Sequence, residues 1–95
     1  MSDQPLPEAD AVEAPPWDPA QRPGPRVRRY SERPRMRIRV DGTWRDAQVM
    51  QRQDWPDGRI RVLCDVYLPS EVGWVWLVRG YWWDSAAMRM IRPGA

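Results

Sequence analysis

The sequence predicts an all-β fold in which five or six short antiparallel strands, within residues 35–93, curl on themselves behind a disordered N-terminal arm. Three observations predict it. Apolar and polar residues alternate in several short runs, turn-forming dipeptides separate those runs, and eight of the eleven prolines fall within the first 34 residues. Alternation gives an extended chain one apolar face, and Asp-Gly pairs reverse its direction. A proline-rich segment without apolar periodicity cannot bury enough surface to fold alone.

The arm spans residues 1–34 and is dipolar. Residues 1–20 carry Asp3, Glu8, Asp10, Glu13 and Asp18 without a base, a net charge of −5. The arginine-rich part, 21–34, opens a run to residue 40 with eight arginines against Glu32, a net charge of +7. From 41 onward the seven residues of each sign cancel. A basic run of this kind can neutralise phosphates. The acidic segment is tethered close by, at high effective concentration, and can instead fold back and mask the arginines. Trp17, inside Pro15-Pro16-Trp17-Asp18-Pro19, has the form of a linear docking motif, because prolines reduce the entropy lost on binding. It can equally dock on its own domain.

A chain of 95 residues holds one domain, and the apolar material for its core lies after residue 34. Met36, Ile38 and Val40 alternate with Arg35, Arg37 and Arg39, which defines the clearest strand. Asp41-Gly42 then predicts a two-residue turn into a second strand, so a hairpin spans roughly 35–52. In that second strand Ala47 and Val49 face the core, while Trp44 has the opposite parity and stays partly exposed. Asp54-Trp55-Pro56-Asp57-Gly58 reads as a loop. Ile60, Val62, Cys64, Val66 and Leu68 form a third strand, which Pro69 is expected to end. From Trp74 to Trp83 both parities are apolar, and Gly80 predicts a bend or bulge between two short strands. Asp84-Ser85-Ala86-Ala87 suggests a single helical turn before a last strand at 88–91.

So many short strands bury their edges most economically as a small barrel of the SH3 type. The run from Met36 to Val49, with its Trp44-x-x-Ala47-x-Val49 pattern, the third strand after Asp57-Gly58 and the terminal Met90-Ile91-Arg92-Pro93 resemble the Tudor and Agenet branch of those barrels. The resemblance covers residues 36–93. It implies a binding domain with an aromatic cage at one end of the barrel, to which Trp44 and aromatics of the 74–83 run would contribute.

Catalysis is disfavoured by composition. Histidine is absent, which removes imidazole bases and His-bearing metal sites. Cys64 sits in an apolar run and reads as a packed thiol. The hydroxyls Ser2, Ser31, Thr43, Ser70 and Ser85 have no activating neighbour in sequence. No cofactor or metal is implied. No apolar run of membrane-spanning length and no export signal is visible, so a cytoplasmic protein is expected.

Seven tryptophans are more than so small a domain can bury, since each covers on the order of 200 Å². Trp44, Trp55 and Trp82, with Trp17 in the arm, are the candidate partner-binding residues. The expected function is a non-catalytic binding module, a protein–protein adaptor or accessory factor. The alternative is a nucleic-acid accessory protein, with Arg26, Arg28, Arg29, Arg35, Arg37 and Arg39 on phosphates and tryptophans stacked on bases. Homo-oligomers paired through strand edges are a third outcome.

Overall fold

The computed structural model describes residues 8–92. Six strands follow in chain order: β1 Arg26–Arg29, β2 Arg35–Val40, β3 Thr43–Asp54, β4 Ile60–Ser70, β5 Gly73–Trp82 and β6 Met88–Met90. All pair antiparallel, in the order β5-β4-β3-β2-β6, with β1 lying off this path against β3. β5 and β6 end the path and do not pair with each other, so the sheet is not closed. No helix among the described residues is long and apolar enough to cross a membrane.

The predicted first hairpin is present. Asp41 and Gly42 adopt φ of 52° and 74°, the left-handed pair that a two-residue turn requires, and Val40 faces Thr43. β3 is long because two strands share one of its edges: β2 pairs Thr43–Gln48 and β1 pairs Gln51–Asp54. Between them the register on β4 shifts between Val49 and Gln51. This bulge bends the strand, and beyond it β3 carries only the polar residues Gln51–Asp54.

One parity of each of β2 to β6 builds the core, while β1 stays exposed. Met36 and Ile38 of β2, Ala47 and Val49 of β3, Val62, Cys64, Val66 and Leu68 of β4, Tyr81 of β5 and Met88 of β6 are buried together. These positions of β2, β3 and β4 are the ones that alternation picks out in the sequence.

Three local expectations are corrected. Pro69 does not end β4, which continues to Ser70 and pairs Pro69 with Trp74. Ser70 and Gly73 flank a two-residue turn and form a hydrogen-bonded pair, so the next pair points its backbone groups outward. There β3 no longer runs alongside, and the missing N–H of Pro69 costs no ladder bond. Gly80 makes no bulge, because β5 runs unbroken from Gly73 to Trp82. Its glycine serves a close approach instead: an added Cβ would lie 2.6 Å from Nε of Arg61 and overlap the rest of the guanidinium. Residues 84–87 form a turn and not a helix, in which the Ala87 N–H donates to the Asp84 carbonyl at 3.0 Å and the Ala86 N–H to Asp84 Oδ1 at 2.9 Å.

Residues 1–7 of the arm and Pro93 of the closing motif lie outside the described residues. The rest of the arm makes contacts that its composition does not announce. β1 is one, and pairing of Arg26–Arg29 with Gln51–Asp54 places a strand upstream of the expected domain boundary at 35. The other is the segment 10–14, which spans from β2 to β5. The Ala11 N–H donates to the Arg39 carbonyl at 2.8 Å, the Ala14 N–H to the Gly80 carbonyl at 2.9 Å, and the Trp82 N–H to the Val12 carbonyl at 3.0 Å. Backbone hydrogen bonds hold these pieces, and periodicity of side chains cannot reveal them.

Candidate functional site

The two-residue turn between β4 and β5 sets the geometry of the most exposed apolar surface. Pairing of Ser70 with Gly73 carries Trp74 opposite Pro69, Trp76 opposite Tyr67 and Val78 opposite Asp65. Those partners have the parity opposite to the core residues Leu68, Val66 and Cys64, so all five side chains Tyr67, Pro69, Trp74, Trp76 and Val78 stand on the outer face. Trp74 is 54% exposed, Trp76 49% and Val78 57%. Tyr67 stacks on Trp74 with centroids 5.2 Å apart and lies 5.0 Å from Trp76, while the Arg45 guanidinium sits 5.8 Å from the Trp74 ring.

The same three residues of β5 present an open backbone edge. In an antiparallel pair, residues alternate between bonding inward and bonding outward, so Trp74, Trp76, Val78, Gly80 and Trp82 direct N–H and C=O away from β4. At the far end the Gly80 carbonyl accepts from the Ala14 N–H of the arm, and the Trp82 N–H donates to the arm's Val12 carbonyl. Pro15 and Pro16 then end the arm's pairing, because proline has no N–H to give. Trp74, Trp76 and Val78 have no backbone partner on this side among the described residues. From Val72 to Val78 the chain carries no charge and no proline, the devices that ordinarily protect an edge strand.

Two half-exposed indoles leave on the order of 200 Å² of aromatic surface in water, and Val78 on the same face and Val72 in the turn are also exposed. A patch of a few hundred Å² is the size of the largest apolar patch on a typical monomer, and such patches are often functional. Burying the indole surface alone is worth about 5 kcal/mol before the costs of association.

The residues nominated from sequence are distributed differently. Trp55 is buried, 9% exposed, which overturns its expected place at the surface. The loop folds back, with the Trp55 N–H donating to the Arg59 carbonyl at 2.8 Å, and slides the indole between two others. Its ring lies 4.5 Å from Trp17 and 4.6 Å from Trp82, edge to face in both cases. The Arg59 guanidinium covers Trp82 at 4.1 Å and Trp55 at 5.0 Å. Trp17 thus docks on its own domain, and its Nε1 donates to the Gln21 carbonyl at 2.9 Å. Trp44 is half-buried beneath Arg89, 4.3 Å from its ring, and makes no ring contact with the other aromatics among the described residues.

Arg35, Arg37 and Arg39 face outward on β2, and Arg89 of β6 lies opposite Arg37. Acidic groups already engage part of this surface. Glu8 lies 3.7 Å from Arg39 and 3.8 Å from Arg89, Asp10 lies 3.6 Å from Arg39, and Asp46 lies 3.5 Å from Arg37. Glu13 pairs with Arg79. The fold-back of the acidic segment therefore occurs, and within the 21–40 run it reaches Arg39. Arg26, Arg28 and Arg29 are exposed on β1, where Arg28 lies 5.2 Å from the Tyr30 ring.

Two buried groups lie along the inner seam of β4 and β5. Burial, with the Asp65 charge, pushes the Cys64 thiol up to about 12, and its Sγ donates to the Arg79 carbonyl at 3.6 Å. Burial also pushes the Tyr81 phenol up to about 12 against the opposing pull of Arg79. On the opposite face, where Arg61 pairs with Trp82, the Arg61 guanidinium is buried against Gly80 without a carboxylate. Its Nε donates to the Ala14 carbonyl at 3.1 Å and its Nη1 to Gln53 Oε1 at 3.3 Å, and burial lowers its pKa. No group of three or more Cys, Asp or Glu side chains able to hold a metal occurs among the described residues. A separate apolar cleft of 230 Å³, lined by Tyr30, Val49, Ile60, Val62, Trp83 and Met90 among others, is smaller than the usual small-molecule site.

Sequence reasoning puts Trp74, Trp76 and Val78 on one parity but does not tell that this parity is the exposed one, because both parities of 74–83 are apolar. The usable signal was the turn. Counting back from a two-residue loop at Glu71-Val72 assigns these residues to the face of Tyr67 and Asp65, away from the core. Comparison with protein-family models, curated proteins and solved structures finds no match to this chain.

Proposed function

We propose that the chain is a non-catalytic protein-binding module that accepts an extended strand of a protein along the open edge of β5. The carrying observation is the coincidence, at Trp74, Trp76 and Val78, of open backbone groups with exposed apolar side chains. Strand addition uses both: the backbone supplies affinity and the alternating side chains supply selectivity. The scaffold reads as a curled SH3-type sheet of the Tudor and Agenet kind. Supporting that resemblance, the strand after the 84–87 turn returns to pair with β2. The expected aromatic cage is replaced in this reading by a strip along β5.

A photocrosslinking residue placed at Val78 of the full chain tests the reading. A protein adduct is expected at Val78, absent when the probe replaces Val27 on β1 and abolished by Trp76→Lys. Equal adducts from both positions, or none from Val78, overturn it.

A nucleic-acid reading has its own observation, the outward arginines of β2 beside Arg89 and Trp44. It ranks second because Glu8, Asp10 and Asp46 already lie against three of these four arginines. Oligonucleotide affinity that falls steeply with salt and disappears on Arg-to-Glu changes at 35, 37 and 39 would promote it.

A further inference from the structure

We infer that the strand accepted at the β5 edge is the β5 edge of a second copy of this chain, paired antiparallel about a two-fold axis at Trp76. The inference rests on the proposed strand-addition reading and names its partner.

Symmetry is the first argument. The open positions Trp74, Trp76 and Val78 are evenly spaced about Trp76, so antiparallel self-pairing sets Trp76 against Trp76 of the second copy and Trp74 against its Val78. In this register all three are hydrogen-bonded pairs, and each exchanges both N–H···O=C bonds. The open N–H and C=O of Trp74, Trp76 and Val78 find partners in both copies at once. An interface of this kind is self-complementary, as a two-fold dimer demands.

Length is the second. The open rail stops at Val78, because Gly80 is already bonded to Ala14. In the self-paired register Arg79 faces Gly73 of the second copy, where that β5 strand begins. The hairpin tip of one copy therefore ends where the arm of the other takes over, and neither strand overruns the available edge. A longer foreign strand would collide with Ala14 and Pro15.

Chemistry is the third. The outer face places indole beside indole and Trp74 beside Val78, and the run 72–78 brings no charge that desolvation would penalise. With backbone included, the two strips bury on the order of 1,000 Å², the lower end of specific interfaces. The expected dissociation constant is on the order of micromolar.

Sedimentation of the full chain from low-micromolar to near-millimolar concentration should show the mass doubling, and Val78→Lys should hold it at the mass of one chain with unchanged circular dichroism. Independently, Trp76→Cys should oxidise to a symmetric disulfide dimer, since paired Cα atoms about 5.5 Å apart fall within disulfide reach. Val27→Cys should not. A single chain mass throughout, or a dimer indifferent to Val78→Lys with no disulfide at position 76, overturns the inference. If the chain stays single while the Val78 probe still captures a different protein, the binding-module reading stands and the self-pairing falls. If the probe captures nothing, both fall.

Discussion

β6 and β5 end the same sheet and meet water in opposite ways. β6 has three residues, one of them Arg89, whose guanidinium lies over Trp44 and near Glu8. Shortness and charge are the ordinary protections of an edge. β5 has ten residues, and its charge-free half exposes Trp74, Trp76 and Val78 beside open backbone groups. Among the described residues only its last stretch is covered, by the arm at Val12 and Ala14. Within those residues β5 is thus shielded at one end and open at the other, whereas β6 carries the ordinary protections throughout.

The comparison breaks most severely at the covered end of β5. Gly80→Val expels the Arg61 guanidinium from its seat against the strand and from the Ala14 carbonyl. A loss of roughly 3 kcal/mol is expected, from overpacking together with a stranded buried cation. Urea unfolding measures it, and faster proteolysis of the arm should accompany it.

Alkaline pH should loosen the same strand from its inner side. Cys64 and Tyr81 have folded pKa values raised to about 12, above their ordinary 9.0 and 10.0. The unfolded chain therefore releases these protons first. The stability they protect is intact below pH 9 and is lost progressively as pH climbs toward 12. Urea midpoints recorded across that range should fall, and the slope should flatten in Cys64→Ala and in Tyr81→Phe.

The smallest effect is expected at the β6 edge. Arg89→Glu removes an exposed ion pair at 3.8 Å and a cation–π contact. Each is worth about 1 kcal/mol or less, and high salt should shrink the ion-pair part. Dimer mass and Val78 crosslinking should not change. A larger loss would mean that β6, too, depends on its charge for more than protection.

The strands of the first hairpin and the third strand were legible in the sequence because their alternation is strict and Asp41-Gly42 admits a left-handed turn. The candidate site was less legible. Trp74, Trp76 and Val78 are indistinguishable by composition from Val75, Leu77 and Tyr81, and only the pairing register separates the faces. Trp55 misled because loop position suggests exposure, while a stack of three indoles requires the arm to be in place. The arm itself gave no pattern, since its attachment runs through carbonyls and amides at Ala11, Val12 and Ala14.

What the chain determined by itself is the all-β class, the core parity of β2, β3 and β4 and the absence of imidazole chemistry, since local periodicity and residue identity are sufficient for each. The tertiary structure decided which tryptophans meet water and which backbone groups remain open. Both depend on what lies across the next strand, and that neighbour is distant in sequence.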